Sequence, residues 1–250
     1  MPDRRALTVT DVSAGYDGTP VLTGVTFTAH AGERIGLLGP NGGGKTTLFR
    51  VLLGELRPMS GTIEGPDRLG VVPQTERSRL DFPVSALDVA LMGSVGRLPW
   101  WRRPGRAERR AAREALDAVG LADLAERSFG DLSGGQRQRV LVARALVQDA
   151  RIVLLDEPFT GMDTISAERL EGLLDRLAAD GRTLLVAAHD VDQARRWDRV
   201  LCLNGRQVAY GPPDGVLTRE VLEVTYGAAI VELPGGGGVM PAHHHHHEEE

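Results

Sequence analysis

The chain has 250 residues and carries 29 Lys and Arg against 34 Asp and Glu, so the formal charge, 29 − 34, is −5. This length fits one large domain or a domain with an inserted lobe, and 42% hydrophobic with 25% charged residues excludes bulk disorder. The negative net charge argues against a dedicated nucleic-acid-binding protein. No apolar run approaches the about 20 residues of a membrane-spanning helix, and the single cysteine, Cys202, indicates a reducing compartment.

The first part of the chain is predicted to form strands, a glycine-rich loop and a helix. Alternating apolar and polar residues predict antiparallel strands at Leu7–Val12 and Val21–Ala29, with a turn at Ala14–Gly18 between them. The more continuously apolar segment Arg34–Leu38 is typical of a buried strand and leads into the glycine-rich loop. A helix is expected over Thr46–Leu56.

The rest of the chain alternates between helical and strand patterns. From Asp81 to Gln148 the apolar positions, such as Leu116, Val119 and Leu121, recur at helical spacing, which predicts a helical lobe inserted into a sheet domain. Further strands are predicted at Leu69–Val72, Ile152–Leu155, Thr183–Ala187, Val200–Leu203 and Gln207–Tyr210, and helices at Ser166–Ala179 and Val191–Arg195. This alternation indicates an α/β fold with a mostly parallel, doubly wound sheet.

The C-terminal tail has a composition of its own. From Pro234 it is of low complexity and ends in His243–His247 followed by Glu248–Glu250. Such a tail is either an expression tag or a native His-rich segment that binds zinc weakly, so we assign no metal site to it. We predict one domain over residues 1–233, with a helical subdomain at about 81–148, and a tail over 234–250.

The glycine-rich loop matches the phosphate-binding pattern G-x-x-x-x-G-K-[ST]. It comprises Gly39, Pro40, Asn41, Gly42, Gly43, Gly44, Lys45 and Thr46, and Thr47 follows in the helix. Glycines let the backbone N–H groups surround phosphates, and the following helix adds the positive end of its dipole. The motif predicts that Lys45 binds the β- and γ-phosphates and that the Thr46 hydroxyl ligates Mg²⁺. The alternative is a flexible turn that merely contains a lysine.

Two carboxylates follow a buried strand later in the chain. Asp156 and Glu157 come directly after the apolar run Ile152–Leu155, at the strand end where ligands bind in such sheets. Asp156 is expected to hold the Mg²⁺ shell, and Glu157 to polarise a water molecule as general base. Without the glycine-rich loop, these residues would be interpreted as two solvated acids.

The segment Leu132-Ser133-Gly134-Gly135-Gln136 narrows the class of protein. Ser133 is a plausible N-cap of the helical run Arg137–Val147, and the glycines leave backbone N–H groups free at a second anion site. Here the sequence resembles the ATP-binding-cassette (ABC) family over about residues 5–228. The resemblance implies the P-loop NTPase fold of ABC ATPases, in which a mostly parallel central sheet is joined by an antiparallel β subdomain and an inserted α-helical subdomain.

The resemblance also implies a head-to-tail dimer that holds ATP between the P-loop of one copy and the signature of the other. The signature residues Ser133, Gly134, Gly135 and Gln136 would then face the γ-phosphate bound by the partner copy. The segment Thr160-Gly161-Met162-Asp163 differs in sequence from the commonest form of the corresponding family motif.

Single residues elsewhere match further family positions. Tyr16 would stack on adenine, and Gln74 would contact Mg²⁺ and the attacking water. Asp163 would face the partner copy across the dimer interface, and His189 would contact the γ-phosphate. A surface tyrosine and a loop glutamine are the structural alternatives for Tyr16 and Gln74. All the catalytic positions are present, namely Lys45, Gln74, Asp156, Glu157 and His189, which predicts a competent ATPase with ATP and Mg²⁺ as its cofactors.

The resemblance favours an energy-coupling subunit of an importer. With no membrane span in the chain, the transport path would lie in separate permease subunits. The protein would sit at the cytoplasmic face of the membrane and work with an extracytoplasmic substrate-binding protein. A soluble ABC ATPase of translation or DNA repair is the alternative, although those members carry two cassettes, long coiled coils or zinc modules. A nucleotide-binding regulator without turnover is disfavoured by Glu157 and His189.

Further segments bear on the cargo and the partner. The segments Asp81–Ser85, Asp88–Gly93 and Pro99–Pro104 resemble the branch that imports manganese, zinc or iron chelates, while siderophore, haem and other cargoes stay open. The stretch Arg97–Arg113 holds seven arginines and one glutamate beside two tryptophans. It is either a solvated face or a binding surface. As a binding surface, we favour one that faces anionic lipid or the permease over a nucleic-acid site.

Overall fold

Two sheets organise the computed structural model, which describes residues 5–66, 69–73, 83–99, 101–227, 231–232 and 238–239. The strands are β1 (Arg5–Tyr16), β2 (Thr19–His30), β3 (Arg34–Leu38), β4 (Ser60–Glu64), β5 (Gly70–Val72), β6 (Ile152–Asp156), β7 (Thr183–Ala187), β8 (Arg199–Leu203), β9 (Gln207–Gly211), β10 (Val231–Glu232) and β11 (Gly238–Val239). The helices are α1 (Lys45–Leu52), α2 (Ala86–Met92), α3 (Arg106–Ala118), α4 (Gly134–Val147), α5 (Thr164–Ala179), α6 (Val191–Ala194), α7 (Pro213–Val216) and α8 (Arg219–Tyr226).

The smaller sheet is antiparallel, in the order β2-β1-β4. The predicted strands at 7–12 and 21–29 are its central parts, and both extend further than the alternation of the sequence indicated. The ladder between β1 and β2 shifts register between Val9 and Val12, where Asp11 has φ 49°. Such a bulge lets a long strand bend and continue. Strand β4 was not expected from the sequence, because most of its side chains are exposed.

The larger sheet has the order β5-β6-β7-β3-β8-β9. Its strands run parallel apart from β9, which pairs antiparallel with β8. The predicted α/β fold, with a mostly parallel central sheet and an antiparallel sheet beside it, is therefore confirmed. The parallel order brings the carboxyl ends of β3, β6 and β7 to one edge, where the glycine-rich loop, Asp156 and His189 follow their strands.

Both faces of the central sheet are covered, which explains its continuously apolar strands. In β6, Ile152 and Leu154 pack on the side of α1 and the antiparallel sheet, whereas Val153 and Leu155 pack on the side of α4 and α5. The side chains of a strand alternate between faces, so a strand buried on both sides contains apolar residues throughout.

The helical part between β5 and β6 is built from α2, α3 and α4, which pack against one another. The predicted apolar positions Leu116, Val119 and Leu121 are buried there. Helix α2 begins with a capping box, in which the Ser85 hydroxyl accepts a hydrogen bond from the Asp88 N–H and the Asp88 carboxylate accepts one from the Ser85 N–H. The predicted division into a domain over 1–233 and a tail stays a prediction.

Two helical expectations need correction. Helix α1 ends at Leu52 rather than at residue 56, because Gly54 adopts φ +73° and the chain turns there. Helices α7 and α8 were not predicted from the sequence. Among the described residues, no helix is both long and apolar enough to cross a bilayer.

Candidate nucleotide site

The glycine-rich loop connects β3 to α1 and has a backbone that only glycine fits at two positions. Gly44 is the N-cap of α1 with φ 99°, and a Cβ there would lie 2.8 Å from Leu22 Cδ1. Gly39 has φ 156°, and its Cβ would lie 2.1 Å from the Leu203 carbonyl oxygen. A side chain at either position would therefore displace the loop from the start of α1. At that helix start, backbone N–H groups are available to bind an anion.

Lys45 lies inside this loop. Its side-chain Nζ donates hydrogen bonds to the carbonyl oxygens of Gly39, at 2.6 Å, and Pro40, at 3.1 Å, and the residue is buried. Burial lowers the pKa of the Lys45 ammonium, and the charges of Glu157 and Asp156 oppose that shift. The loop carbonyls hold the ammonium in place next to the two acids.

Asp156 and Glu157 leave the sheet at the end of β6. Asp156 pairs with Ala187 of β7, and the Glu157 N–H donates to the Ala187 carbonyl at 3.1 Å. Glu157 has φ 48°, a conformation that is uncommon for a residue with a side chain. This turn places the Glu157 carboxylate beyond the strand end, close enough to Lys45 for their charges to interact.

Glu157 and His189 form a hydrogen-bonded pair. The distance between Glu157 Oε1 and His189 Nε2 is 2.5 Å. The hydrogen bond from His189 is the main reason that the pKa of the Glu157 carboxyl is lowered; burial opposes it, and the charges of His189 and Lys45 add to it. The Glu157 side chain is 17% exposed and that of His189 41%, so water can reach the pair from the His189 side.

A cavity of about 400 Å³ brings these elements together. It is lined by the P-loop residues Pro40, Asn41, Gly42, Gly44, Lys45, Thr46 and Thr47, by Glu157 and His189, and by Val21. Most of the predicted phosphate-binding loop and two predicted catalytic residues therefore share one cavity. Val21, at the start of β2, was not predicted, because only the folded chain brings it to the loop.

Tyr16 lies at the end of β1 and is 39% exposed. Arg50 of α1 donates a hydrogen bond to the Tyr16 hydroxyl at 3.1 Å, and its guanidinium carbon lies 5.9 Å from the ring centroid. This arginine was also missed by the sequence analysis. A base that stacked on the ring would share it with, or displace, the guanidinium.

The signature residues form a helix start of their own. The Ser133 hydroxyl accepts a hydrogen bond from the Gln136 N–H at 3.2 Å, while the Gln136 side-chain oxygen accepts one from the Ser133 N–H at 2.9 Å. The predicted N-cap is thus confirmed. Residues 133–136 are all described, and none of them lines the cavity at the P-loop.

Asp163 lies next to the signature within the same chain. Its carboxylate caps α5, accepting hydrogen bonds from the Ser166 N–H at 2.9 Å and the Ser166 hydroxyl at 2.7 Å. Ser166 in turn packs on Gly135, where an added Cβ would lie 2.8 Å from Ser166 Cβ. The structure therefore joins Asp163 and the signature through Ser166.

Gln74, the predicted ligand of Mg²⁺ and water, lies outside the described residues, as does the His-rich end of the tail. Within the described part of the chain, no cluster of three or more His, Cys, Asp or Glu side chains could hold a metal ion.

Comparison with known proteins gives one consistent family. The family described as "ABC transporter" matches residues 22–160. The manganese transport system ATP-binding protein of Bacillus subtilis is 42% identical over 232 residues, which is 89% of this chain and 93% of that protein. The zinc transport system ATP-binding protein of Treponema pallidum is 41% identical over 234 residues, 90% of this chain and 88% of that protein.

A solved structure agrees with these relatives. A chain from a transporter assigned to the metal-chelate ABC type, in an inward-facing conformation, superposes with a TM-score of 0.85 at 33% sequence identity. The superposition covers 92% of this chain and 92% of that one. The fold is therefore shared along nearly the whole length of both chains.

Proposed function

The chain belongs to the ABC transporter family, and we propose that it is the ATP-hydrolysing subunit of an importer of manganese or zinc ions, or of iron chelates. The observation that carries this proposal is the 42% identity, across nearly all of both chains, to a protein whose name specifies manganese transport. The relative named for zinc transport and the metal-chelate structure support the same cargo class. The chain is an ATPase, as its family is, and it binds nucleotide.

The proposed chemistry is attack of water on the γ-phosphorus of ATP. The loop from Gly39 to Thr47 holds the phosphates, with the Lys45 ammonium on the β- and γ-phosphates. Glu157 accepts the proton of the attacking water, and His189 positions Glu157 through their hydrogen bond and contacts the γ-phosphate. Most of the rate enhancement then comes from positioning and charge stabilisation.

Mg²⁺ fits the oxygen donors at this site. The Thr46 hydroxyl and the Asp156 carboxylate are hard ligands of the kind that Mg²⁺ prefers, and the negative charge of Asp156 already reaches Lys45. Thr46 and Asp156, with Gln74, are the proposed ligands. The ion would neutralise charge on the phosphate oxygens.

A complete site requires a second copy of the chain. Residues Ser133, Gly134, Gly135 and Gln136 offer the free end of a helix but do not line the cavity of their own chain. A head-to-tail dimer would bring the signature of one copy to the γ-phosphate bound by the other, and Asp163 to the same interface. Tyr16 is proposed to stack on adenine.

The dimer is proposed to act on integral-membrane permease subunits at the cytoplasmic face of the membrane, with an extracytoplasmic substrate-binding protein delivering the cargo. The test is uptake into proteoliposomes that hold the complete transporter, with ATP inside and radioactive manganese, zinc or iron chelate outside. We expect ATP-dependent uptake of one of these, and none with Glu157→Gln. ATP hydrolysis without uptake of any of the three would overturn the proposed cargo.

A further inference from the structure

A second cleft, of about 480 Å³, lies away from the nucleotide cavity. It is formed where the C-terminal end of α3 meets the middle parts of α4 and α5. Three arginines line it, Arg139 from α4 and Arg169 and Arg176 from α5, together with one acidic residue, Asp117. None of the three arginines has a role in the proposed hydrolysis of ATP.

Arg139 is held firmly at the inner side of this cleft. It is buried, and its Nη1 donates a hydrogen bond to the Val119 carbonyl at the end of α3, at 3.0 Å. Its Nε is buried without a hydrogen-bond partner in the described structure. Hydrogen bonding to the C-terminal end of α3 fixes the position of the guanidinium.

Arg169 and Arg176 stand on the exposed side of the cleft. They are two turns apart on α5, with the buried Leu173 between them, so all three residues share one helix face. Among the described residues, no carboxylate forms an ion pair with Arg139, Arg169 or Arg176. By contrast, Arg182 pairs with Asp149 at 3.6 Å and Arg199 with Glu33 at 3.2 Å.

The positive charges in the cleft affect one another. Burial lowers the pKa of the Arg139 guanidinium, and the neighbouring positive charge of Arg169 lowers it further. Arginine nevertheless stays protonated in proteins, so the fold holds like charges together. Asp117 is exposed at the rim and contributes a single negative charge against three positive ones. An anion between the guanidinium groups would remove this repulsion.

We propose that this cleft binds a small phosphate-bearing anion, at a site separate from the nucleotide cavity. A planar guanidinium group can donate two parallel hydrogen bonds to two oxygens of one phosphate. The volume of the cleft accommodates a phosphate group with a small substituent. Arg139 from one helix and Arg169 and Arg176 from another form the two sides of the site. The anion therefore bridges α4 and α5.

The bridged helices are those that begin with the signature and with Asp163. Arg139 follows Ser133 by six residues (139 − 133), and Arg169 follows Asp163 by six (169 − 163). The bound anion thus restrains the relative position of the two helix starts that would face the partner copy. This last consequence rests on the proposed dimeric function, whereas the binding itself does not.

Binding is tested by calorimetric titration with inorganic phosphate, with pyrophosphate and with phosphatidylglycerol vesicles, in the absence of ATP. Four proteins are compared: wild type, Arg169→Glu/Arg176→Glu, the charge-matched Arg57→Glu/Arg127→Glu, and Lys45→Ala, which weakens binding at the P-loop. Arg57 and Arg127 are exposed and do not line the cleft. Thermal melting checks the fold of each, and Arg169→Gln/Arg176→Gln serves if the glutamate variant is unstable.

We expect the cleft variant to lose affinity by about tenfold or more relative to the control variant, and Lys45→Ala to retain a binding site of unchanged affinity. Three results overturn the proposal: absence of binding to Lys45→Ala, equal losses in the cleft and control variants, or binding only to phosphatidylglycerol vesicles and not to free phosphate. Because no outcome depends on turnover or transport, failure here is distinct from failure of the proposed importer function.

Discussion

At the residue scale, the hydrogen bond between Glu157 and His189 determines the chemistry available at the site. It lowers the pKa of the Glu157 carboxyl and fixes the direction of this side chain at the end of β6. An ionised carboxylate can accept a proton from water, whereas an amide in the same place cannot. The pair therefore gives two residue-level predictions, one on catalysis and one on titration.

The first prediction concerns Glu157→Gln. ATP binding should persist, because the glycine-rich loop and Lys45 are untouched, while turnover falls roughly 100-fold or more through loss of the base. Steady-state phosphate release and the affinity for a fluorescent ATP analogue measure the two effects. Glu168→Gln, on the exposed side of α5, is the matched control and should behave as wild type. Near-normal turnover of Glu157→Gln would show that another group is the base.

The second prediction concerns the pKa of Glu157. In the folded protein this pKa lies below its ordinary value of 4.5, chiefly because His189 donates a hydrogen bond to the carboxylate. Stability from this ionised carboxylate is present above the unfolded-state pKa and is lost as pH falls through the lower folded value. His189→Ala should therefore raise the folded pKa towards the unfolded one and reduce this pH-dependent contribution to stability.

Carbon-13 NMR of the Glu157 carboxyl group in the nucleotide-free protein measures this shift directly. His30→Ala is the matched control. His30 hydrogen-bonds to Glu33 at 3.1 Å and lies just before β3, at the opposite end of that strand from the glycine-rich loop. That variant should leave the Glu157 titration unchanged. An identical Glu157 titration in wild type and His189→Ala would mean that the hydrogen bond does not control the pKa.

The site residues that the sequence could reveal are those within local motifs. Local spacing was enough to place these residues at one edge of the sheet. Lys45 and Thr46 follow the glycines, and Asp156 and Glu157 follow an apolar strand. Val21 and Arg50 were missed because their roles arise from contacts between distant segments, and no local pattern indicates such contacts. The roles of Lys45, Thr46, Asp156 and Glu157 in catalysis stay predictions.

At the scale of elements, the close packing of α4 on α5 gives a third prediction. Gly135→Ala should destabilise the protein by about 1–3 kcal/mol, because its Cβ would overlap Ser166 Cβ and Oγ. Alanine otherwise favours a helix over glycine, so any loss reflects the collision with Ser166. Gly215→Ala in α7 is the control: no atom lies within 4 Å of its added Cβ, and it should not destabilise.

Combining Gly135→Ala with Ser166→Gly identifies the cause of the lost stability. Ser166→Gly alone should destabilise, because the hydroxyl bond to Asp163 is lost. In the Gly135→Ala background the same change should instead restore stability, since it removes the atoms that collide. Chemical denaturation of the four proteins gives the coupling. Additive losses would place the strain of Gly135→Ala elsewhere.

Elements were predictable where burial made their pattern simple. The strands at Arg34–Leu38 and Thr183–Ala187 have the predicted bounds, because both faces are buried and every position is constrained. Strand β4 was missed because it lies at the edge of the small sheet with mostly exposed side chains. Its hydrogen bonds to β1 define it, and these depend on tertiary contact rather than on its own pattern.

At the scale of the whole molecule, the P-loop and the signature are both formed but do not meet. The cavity at Lys45 includes Glu157 and His189 and no residue of 133–136, all of which are described. A head-to-tail pair of copies accounts for both features, because each copy contributes one half to each of two sites. The sequence alone indicated this only through family resemblance, since no property of a single chain defines a dimer interface.

The final prediction tests this arrangement with two inactive variants. Ser133→Arg places a long cation where the partner's γ-phosphate would meet a helix start, and Lys45→Ala removes the ammonium from the phosphates. Each variant alone should hydrolyse ATP poorly. In a mixed dimer of the two, one site combines both lesions and the other is intact, so mixing should restore turnover, with roughly half of the dimers mixed under random pairing.

The control is a mixture of wild type with the double variant Ser133→Arg/Lys45→Ala. It contains the same lesions in the same proportion, but each mixed dimer then has one lesion in each of its two sites. Random pairing leaves activity only in the wild-type pairs, whereas the mixture of single variants gains its activity only in mixed pairs. Activity of the single-variant mixture should therefore appear only on mixing and should rise with total protein concentration. If each single variant instead keeps wild-type turnover at any concentration, or if verified mixed dimers stay inactive, the signature does not complete the partner's site, and each chain hydrolyses ATP by a route that Ser133 does not enter.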